Sequence, residues 1–345
     1  MPLAGLRIWN GLISERRETG DMFDKYGREI DYIRISVTDR CNLRCLYCMP
    51  EEGVSMVSHE EILSYDEIVT LAEVFASLGI RKIKLTGGEP LVRRDLPWLV
   101  KKLKVLPGIE KVTLTTNGLF LKEALGELGE AGIDGINLSL DTLNPEVFAE
   151  ITRRRGLEKV LDGFYEALKY PEIPLKINCV PLGREDQEVL EIAELARHYP
   201  VHVRYIEMMP IGLGRQFRSV GEEELLKQLQ EKYGTPSPCR EKLGNGPAHY
   251  YSFPGFFGKI GFISALSHKF CGSCNRVRLT SQGFLKTCLQ YETGTDLRKL
   301  LREGASQETL KRAVEQAIRD KPQSHRFGEK DTGEVETHMM SQIGG

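Results

Sequence analysis

From Tyr32 onward the chain alternates short β-like runs with helical stretches, and this rhythm constrains the fold more than any other feature. Six such runs can be read: YIRISV from Tyr32, KIKLTGG from Lys82, VTLTTNG from Val112, GINLSLD from Gly135, LKINCVP from Leu175 and HVRYIEMMP from His202. Strands that alternate with helices build a parallel sheet or barrel. Between the first two runs, SYDEIVTLAEVFASLG carries Ser64 and Glu67 as a capping box. It continues with Ile68, Leu71, Ala72, Phe75 and Leu78 at helical spacing and stops at Gly79.

Side chains alternate across a strand, so each run places one set on each face. Arg34 and Ser36 oppose Ile33, Ile35 and Val37, while Lys82, Lys84 and Thr86 oppose Ile83 and Leu85. Thr113, Thr115 and Asn117, then Asn137, Ser139 and Asp141, then Lys176 and Asn178, repeat the pattern. Parallel strands covered by helices are usually apolar on both faces, and a solvated polar face suits antiparallel sheets better. The polar face therefore predicts an incomplete (β/α)6 TIM-like barrel with a wet, ligand-filled lumen and its active site at the C-terminal ends of the strands.

The first run leads into SVTDRCNLRCLYCMP, where Cys41, Cys45 and Cys48 are separated by three and then two residues. Three thiolates are one short of a closed zinc or cubane site, so one coordination position stays free. The spacing resembles the signature of the radical S-adenosylmethionine (SAM) superfamily. That resemblance implies a 4Fe-4S cluster whose fourth iron binds SAM.

At 345 residues the chain suits one large barrel with an appended module. The expected segments are 1–24 at the N-terminus, a core barrel at 25–240, a C-terminal cluster- and substrate-binding region at 241–320, and a tail at 321–345. The Gly/Pro-rich stretch from Tyr233 marks the boundary after the barrel. Lys and Arg number 47 against 49 Asp and Glu, a net charge of −2, which calls for neither nucleic acid nor a membrane surface. No signal peptide or spanning apolar run is read, so a cytoplasmic location is expected. Eight cysteines then point to metal or catalysis rather than disulfides, with Cys179 and Cys239 read as ordinary core or surface thiols. The oligomeric state is left open, a homodimer included.

A second set, Cys271, Cys274 and Cys288, has two and then thirteen residues between its members. RVRLT, a turn at Ser281 to Gly283, and FLKTCL read as a hairpin that returns Cys288 to the pair. Zinc with His268 or a more distant fourth ligand is one reading, and a second iron-sulfur cluster with an open iron is the sharper one. Arg276 and Arg278 share a face just after the pair, and guanidinium forks suit phosphate or carboxylate. With Arg34, Lys84, Lys176, and Lys82 and Arg204 as further candidates, they imply a polyanionic substrate such as a nucleoside triphosphate. No Walker-type loop is present, which argues against γ-phosphate hydrolysis.

FDKYGREIDYIRISVTDRCNLRCLYCMP, KLTGGEPLVRRDL, TTNG, SLDTL, ITRRRG, RYIEMMPIG, GFISALSHKFCGSCNRVRLTSQGFLKTCL and the terminal Gly344-Gly345 together resemble the GTP 3′,8-cyclase family of radical SAM enzymes, which serves molybdenum cofactor biosynthesis. The resemblance implies two 4Fe-4S clusters, held by Cys41, Cys45, Cys48 and by Cys271, Cys274, Cys288. It implies SAM contacts at Tyr47, Gly88, Ser139 and Met209, and GTP contacts at Arg34, Lys84, Thr115, Lys176 and Arg276, Val277 and Arg278. It further implies a tail that reaches the active site with Gly344 and Gly345 as catalytic residues, an external electron donor, and a partner, cyclic pyranopterin monophosphate synthase, that takes the product. Lys84 stands where an Arg can occur, which keeps the charge and loses the fork. A radical SAM peptide maturase and a non-catalytic iron-sulfur carrier are the other readings. The first leaves the arginine pair and the terminal glycines unexplained, and the second would not require the GGEP loop or a polar barrel lumen.

Overall fold

The structure, a computed structural model, describes residues 20–55, 57–327, 329 and 336–344. The six expected strands form as β1 (Tyr32–Ser36), β2 (Lys82–Thr86), β3 (Lys111–Thr116), β4 (Ile136–Ser139), β5 (Leu175–Cys179) and β6 (His202–Ile206). They pair in chain order and all in parallel. Their crossovers carry α1 (Tyr65–Ser77), α2 (Leu96–Lys104), α3 (Leu121–Glu130), α4 (Pro145–Thr152), α5 (Leu157–Ala167) and α6 (Val189–His198). The capping box of α1 is formed as expected: the Glu67 amide donates to Ser64 Oγ at 3.1 Å and the Ser64 amide to Glu67 Oε2 at 2.7 Å.

The C-terminal part joins the same sheet rather than standing apart. After α7 (Glu222–Tyr233) come β7 (Ser237–Cys239), β8 (His249–Ser252) and β9 (Ile260–Ile263), then β10 (Arg276–Leu279), β11 (Phe284–Lys286) and β12 (Gly294–Asp296). Strand β9 adds in parallel to β6 and β10 in parallel to β1, so both edges of the six-stranded unit are extended. Antiparallel partners complete each side, β8 and β7 beyond β9, β11 and β12 beyond β10. The boundary expected at residue 240 falls inside the β7–β8 hairpin. Pro238 hid that hairpin in the sequence, yet it is tolerated because β7 is the outermost strand of the sheet. Helices α8 (Leu297–Arg302), α9 (Gln307–Arg319) and the short α10 (Met340–Ile343) follow.

The apolar strand faces point outward under the helices. Ile33, Ile35, Ile83, Leu85, Val112, Leu114, Leu138, Ile177 and Val203 are fully buried there in one cluster. Val277 belongs to that cluster. The polar faces turn inward and line a cavity of about 690 Å³ that runs between both ends of the strands. Among the described residues, no helix is long and apolar enough to cross a membrane.

Arg28 fastens the segment before β1 to the far end of the chain. Its Nε donates to Asp24 Oδ2 at 2.5 Å, Nη1 to the carbonyls of Cys271 and Gln323 at 2.8 Å each, and Nη2 to that of Pro322 at 2.7 Å. Removing one partner of a buried pair leaves an uncompensated charge and costs about 3–5 kcal/mol. Arg28→Met is thus expected to lose about that much in denaturant unfolding, and a loss below about 1 kcal/mol would mark the pair as no stronger than a surface one.

Candidate active site

The loop carrying Cys41, Cys45 and Cys48 is shaped by its own backbone and by three of the motifs seen in the sequence. The amides of Cys48 and Met49 donate to the Cys45 carbonyl at 2.9 and 3.2 Å. From the segment ITRRRG, the carbonyls of Ile151 and Thr152 accept from the Leu46 and Arg44 amides at 2.9 Å each, and Arg153 Nη1 donates back to the Arg44 and Met49 carbonyls. Asn117, of TTNG, reaches Asn42 Oδ1 at 2.7 Å. In the GGEP loop, Glu89 is buried and accepts from Thr116 Oγ1 at 2.7 Å and from the amides of Asn117 and Leu91 at 2.6 and 3.0 Å. Burial nevertheless lifts its carboxyl to about 7. Gly88 packs directly on the cysteine loop: a Cβ there would lie 2.4 Å from the Arg40 carbonyl oxygen, closer than real Cβ contacts come.

Burial raises Cys41 to about 11 and Cys48 to about 12, and lifts Cys45 well above the thiol range, with the neighbouring sulfurs adding repulsion for Cys45 and Cys48. Three such thiols ionise together only against a strongly cationic group. Among the described residues, neither cysteine triad has its sulfurs all within 4.8 Å of one another. A single tetrahedral zinc with bonds of about 2.3 Å would draw them to roughly 3.8 Å. The donor set thus fits a cluster with several metal atoms better than one ion.

Around this triad, Tyr47, Gly88, Ser139 and Met209 all line the cavity. Tyr47 is fixed by donating to Asp141 Oδ2 at 2.7 Å, and Asp141 Oδ1 accepts from the Val180 amide at 2.8 Å. Burial pushes Asp141 up to about 6. Sequence reasoning placed Asp141 on the polar face but gave it no role.

Deeper in the lumen, Arg34 on β1 stands beside Lys84 on β2 and Arg278 on β10, and Tyr32 beside Arg276. Thr115, Asn137 and Lys176 form a row across β3, β4 and β5, and Arg204 on β6 stands beside Asn178. The side chains of Arg34, Lys84, Thr115, Lys176, Arg204, Arg276 and Arg278 face the cavity. Val277, between the two arginines, is the exception: its side chain is in the outer core, and only its backbone is offered. Desolvation, then mutual repulsion, brings Arg34 down to about 10 and Lys176 to about 8, and takes Lys84 and Arg278 well below their usual ranges. Among the described residues, Lys84, Lys176, Arg204, Arg276 and Arg278 form no ion pair with a carboxylate, whereas Lys82 is paired with Asp31 and leaves the set. Arg204 instead donates to Asn137 and Asn178 Oδ1 at 2.6 Å each. A floor loop, Lys242 to Ala248, closes the other end and was not anticipated, because its Gly/Pro composition signals only a break.

The β10–β11 hairpin forms as expected and brings Cys288 within electrostatic range of Cys271 and Cys274. Although burial opposes it, Lys321 and Arg276 bring Cys274 down to about 7. Lys321, unnoticed in the sequence, donates to the carbonyls of Arg276 and Thr287. His268 turns toward Glu222 instead, at 3.6 Å.

The tail enters the lumen. Met340 and Ser341 line the cavity, and Arg278 Nη1 donates to the Gly344 carbonyl at 2.5 Å. A Cβ at Gly344 would stand 3.0 Å from both Ser36 Cβ and Thr86 Oγ1. Gly345 lies outside the described residues.

A barrel of parallel strands with an open three-cysteine loop beyond its first strand defines a radical SAM protein. The Radical SAM superfamily model matches residues 35–196, and the model for Molybdenum Cofactor Synthesis C matches 201–327. Among solved structures, SuiB of Streptococcus suis bound to S-adenosylmethionine shares the fold with TM-score 0.56 and 16% identity, over 91% of this chain and 72% of that one. The GTP 3′,8-cyclase of Syntrophomonas wolfei is 45% identical over 328 residues, 94% of this chain and 100% of that one. The Desulforamulus reducens GTP 3′,8-cyclase is 44% identical with the same coverage, and molybdenum cofactor biosynthesis protein 1 of Dictyostelium discoideum is 42% identical over 88% of this chain and 49% of its own length. The chain belongs to the GTP 3′,8-cyclase family.

Gly88→Ala should overpack the contact between the two loops and destabilise the protein by about 1–3 kcal/mol in denaturant unfolding. Gly126→Ala, in α3 with nothing near its Cβ position, is the control and should gain up to about 1 kcal/mol. Equal effects would place Gly88 outside a tight contact.

Proposed function

We propose that this enzyme converts GTP to (8S)-3′,8-cyclo-7,8-dihydroguanosine 5′-triphosphate, the first step of molybdenum cofactor biosynthesis. The observation that carries this reading is the crowd of lumen cations, of which Lys84, Lys176, Arg204, Arg276 and Arg278 have no carboxylate partner among the described residues, set between two three-cysteine sites. When bound, the first cluster and SAM would supply a 5′-deoxyadenosyl radical that takes the ribose 3′ hydrogen and leaves as 5′-deoxyadenosine; the 3′ carbon would then bond to guanine carbon 8, and one electron from the external donor with one proton would complete the 7,8-dihydro product.

The residues of the chain serve to hold and orient. Cys41, Cys45 and Cys48 hold the first cluster, and Tyr47, Gly88, Ser139 and Met209 hold SAM, with Tyr47 braced by Asp141. Arg34, Lys84, Lys176, Arg276 and Arg278 meet the triphosphate, Thr115 contributes a hydroxyl and Val277 its backbone. Cys271, Cys274 and Cys288 would hold a second 4Fe-4S cluster, which would supply a free iron coordination position for the guanine base. Gly344, whose carbonyl is held by Arg278, and Gly345 are the catalytic residues of the tail. An external donor supplies electrons in the cytoplasm, and the product passes to cyclic pyranopterin monophosphate synthase.

Anaerobic reconstitution tests the reading. About eight irons per chain, the content of two 4Fe-4S clusters, and SAM cleavage that depends on GTP are expected. Cleavage indifferent to GTP would contradict it. Arg276→Ala combined with Arg278→Ala should weaken GTP binding by about tenfold or more, as loss of charged hydrogen bonds does, and leave SAM binding in place. Equal loss of both would make the arginines structural.

A further inference from the structure

Residues 336–344 of the tail are pinned at both ends by residues that face each other across a strand pair. Arg278 on β10 and Lys286 on β11 are ladder partners. Arg278 holds the Gly344 carbonyl, and Lys286 holds the carboxylate of Glu336. Both side chains of that second pair are almost completely shielded, Lys286 at 3% exposure and Glu336 at 0%.

Every polar group of Glu336 is engaged. Its Oε2 meets Lys286 Nζ, and its Oε1 accepts from the His338 amide at 2.8 Å and lies 2.7 Å from His338 Nδ1. Its amide donates to the Gln290 carbonyl at 2.6 Å, and its carbonyl accepts from Arg215 Nη2 at 3.2 Å. Lys286 Nζ also donates to the Tyr291 carbonyl at 2.7 Å. Glu292, Glu336 and His338 could be read as a metal cluster, but the Lys286 ammonium already supplies the cation there. Between the two pins, the Met339 amide donates to Gln342 Oε1 at 2.9 Å, and Met339 packs over Gly212.

We propose that the Lys286–Glu336 pair is the anchor that sets the register of the C-terminal tail, making Glu336 a positioning residue for cyclisation; this rests on the reading of the tail as part of the active site. A buried carboxylate without its partner is costly, so Glu336 has one favourable seat. A slip by one residue through α10 shifts the chain by about 1.5 Å and rotates it by about 100°, which takes the Gly344 carbonyl off Arg278. The anchor therefore decides which carbonyl arrives at Arg278.

The test is the reconstituted holoenzyme carrying Lys286→Met together with Glu336→Met, which removes both charges and leaves neither one buried alone. GTP and SAM binding should stay within about twofold of the unaltered enzyme while kcat for the cyclised product falls about tenfold or more. Hydrogen exchange across residues 336–344 should accelerate, whereas Lys286→Arg should retain both protection and turnover. Wild-type exchange in the double variant overturns the anchor, as does a parallel loss of GTP binding and turnover, which a merely structural role would give. Deleting Gly344 and Gly345 separates the two layers. If that deletion spares turnover, the tail reading fails and the anchor has nothing to position. If the deletion abolishes turnover and the double variant does not, the anchor alone is wrong.

Discussion

The rest of the fold is organised around like charges held side by side in one lumen. A chain with net charge −2 has carboxylates enough to neutralise them, yet the ones nearby are spent elsewhere. Glu89 ties the GGEP loop to the end of β3, Asp141 braces Tyr47 and the Val180 amide, and Glu207 accepts from the amides of Leu266 and Ser267. Each holds a loop, and among the described residues none of the three pairs with Lys84, Lys176, Arg204, Arg276 or Arg278. The resulting repulsion is visible in Lys84 and Arg278, both drawn far below their ordinary ranges by desolvation and by one another's neighbours. Such a site is unfavourable until a polyanion enters it, which is how ligand binding energy is stored in a fold.

The sheet extensions place the chemistry around that charge. Strand β10 brings Arg276 and Arg278 beside β1, directly after the second cysteine pair. The first cysteine loop leaves the opposite end of β1 at Ser36. One strand pair therefore sets the separation between the two sulfur sites, with the cations between them. The tail closes the arrangement by placing a backbone carbonyl on Arg278, one of the cations expected to meet substrate. On the proposed reading, tail and triphosphate would converge on a single guanidinium.

Much of this was legible beforehand. The six barrel strands, the α1 capping box and the β10–β11 hairpin follow from local periodicity and turn chemistry, which act over a few residues. The cationic lumen was legible because alternation exposes which side chains share a face. Three kinds of feature were not. The edge positions of β9 and β10 depend on pairing between strands remote in sequence. The β7–β8 hairpin is masked by Pro238 and its glycines. Arg28, Lys321 and Glu336 act by reaching distant carbonyls or a distant charge, and nothing in their sequence surroundings marks a buried partner. Val277 sits between two cavity-lining residues, and the same period of two that turns Arg276 and Arg278 inward turns its side chain outward.

Ligand-free and GTP-bound thermal unfolding of Lys84→Met tests the central claim most directly. Removing one crowded cation should raise the Tm of the ligand-free protein and abolish much of the upward shift that GTP gives the unaltered enzyme, the trade between stability and function expected of a strained binding site. A lower ligand-free Tm with an undiminished GTP shift would show that the lumen cations are structural and that the triphosphate is bound elsewhere.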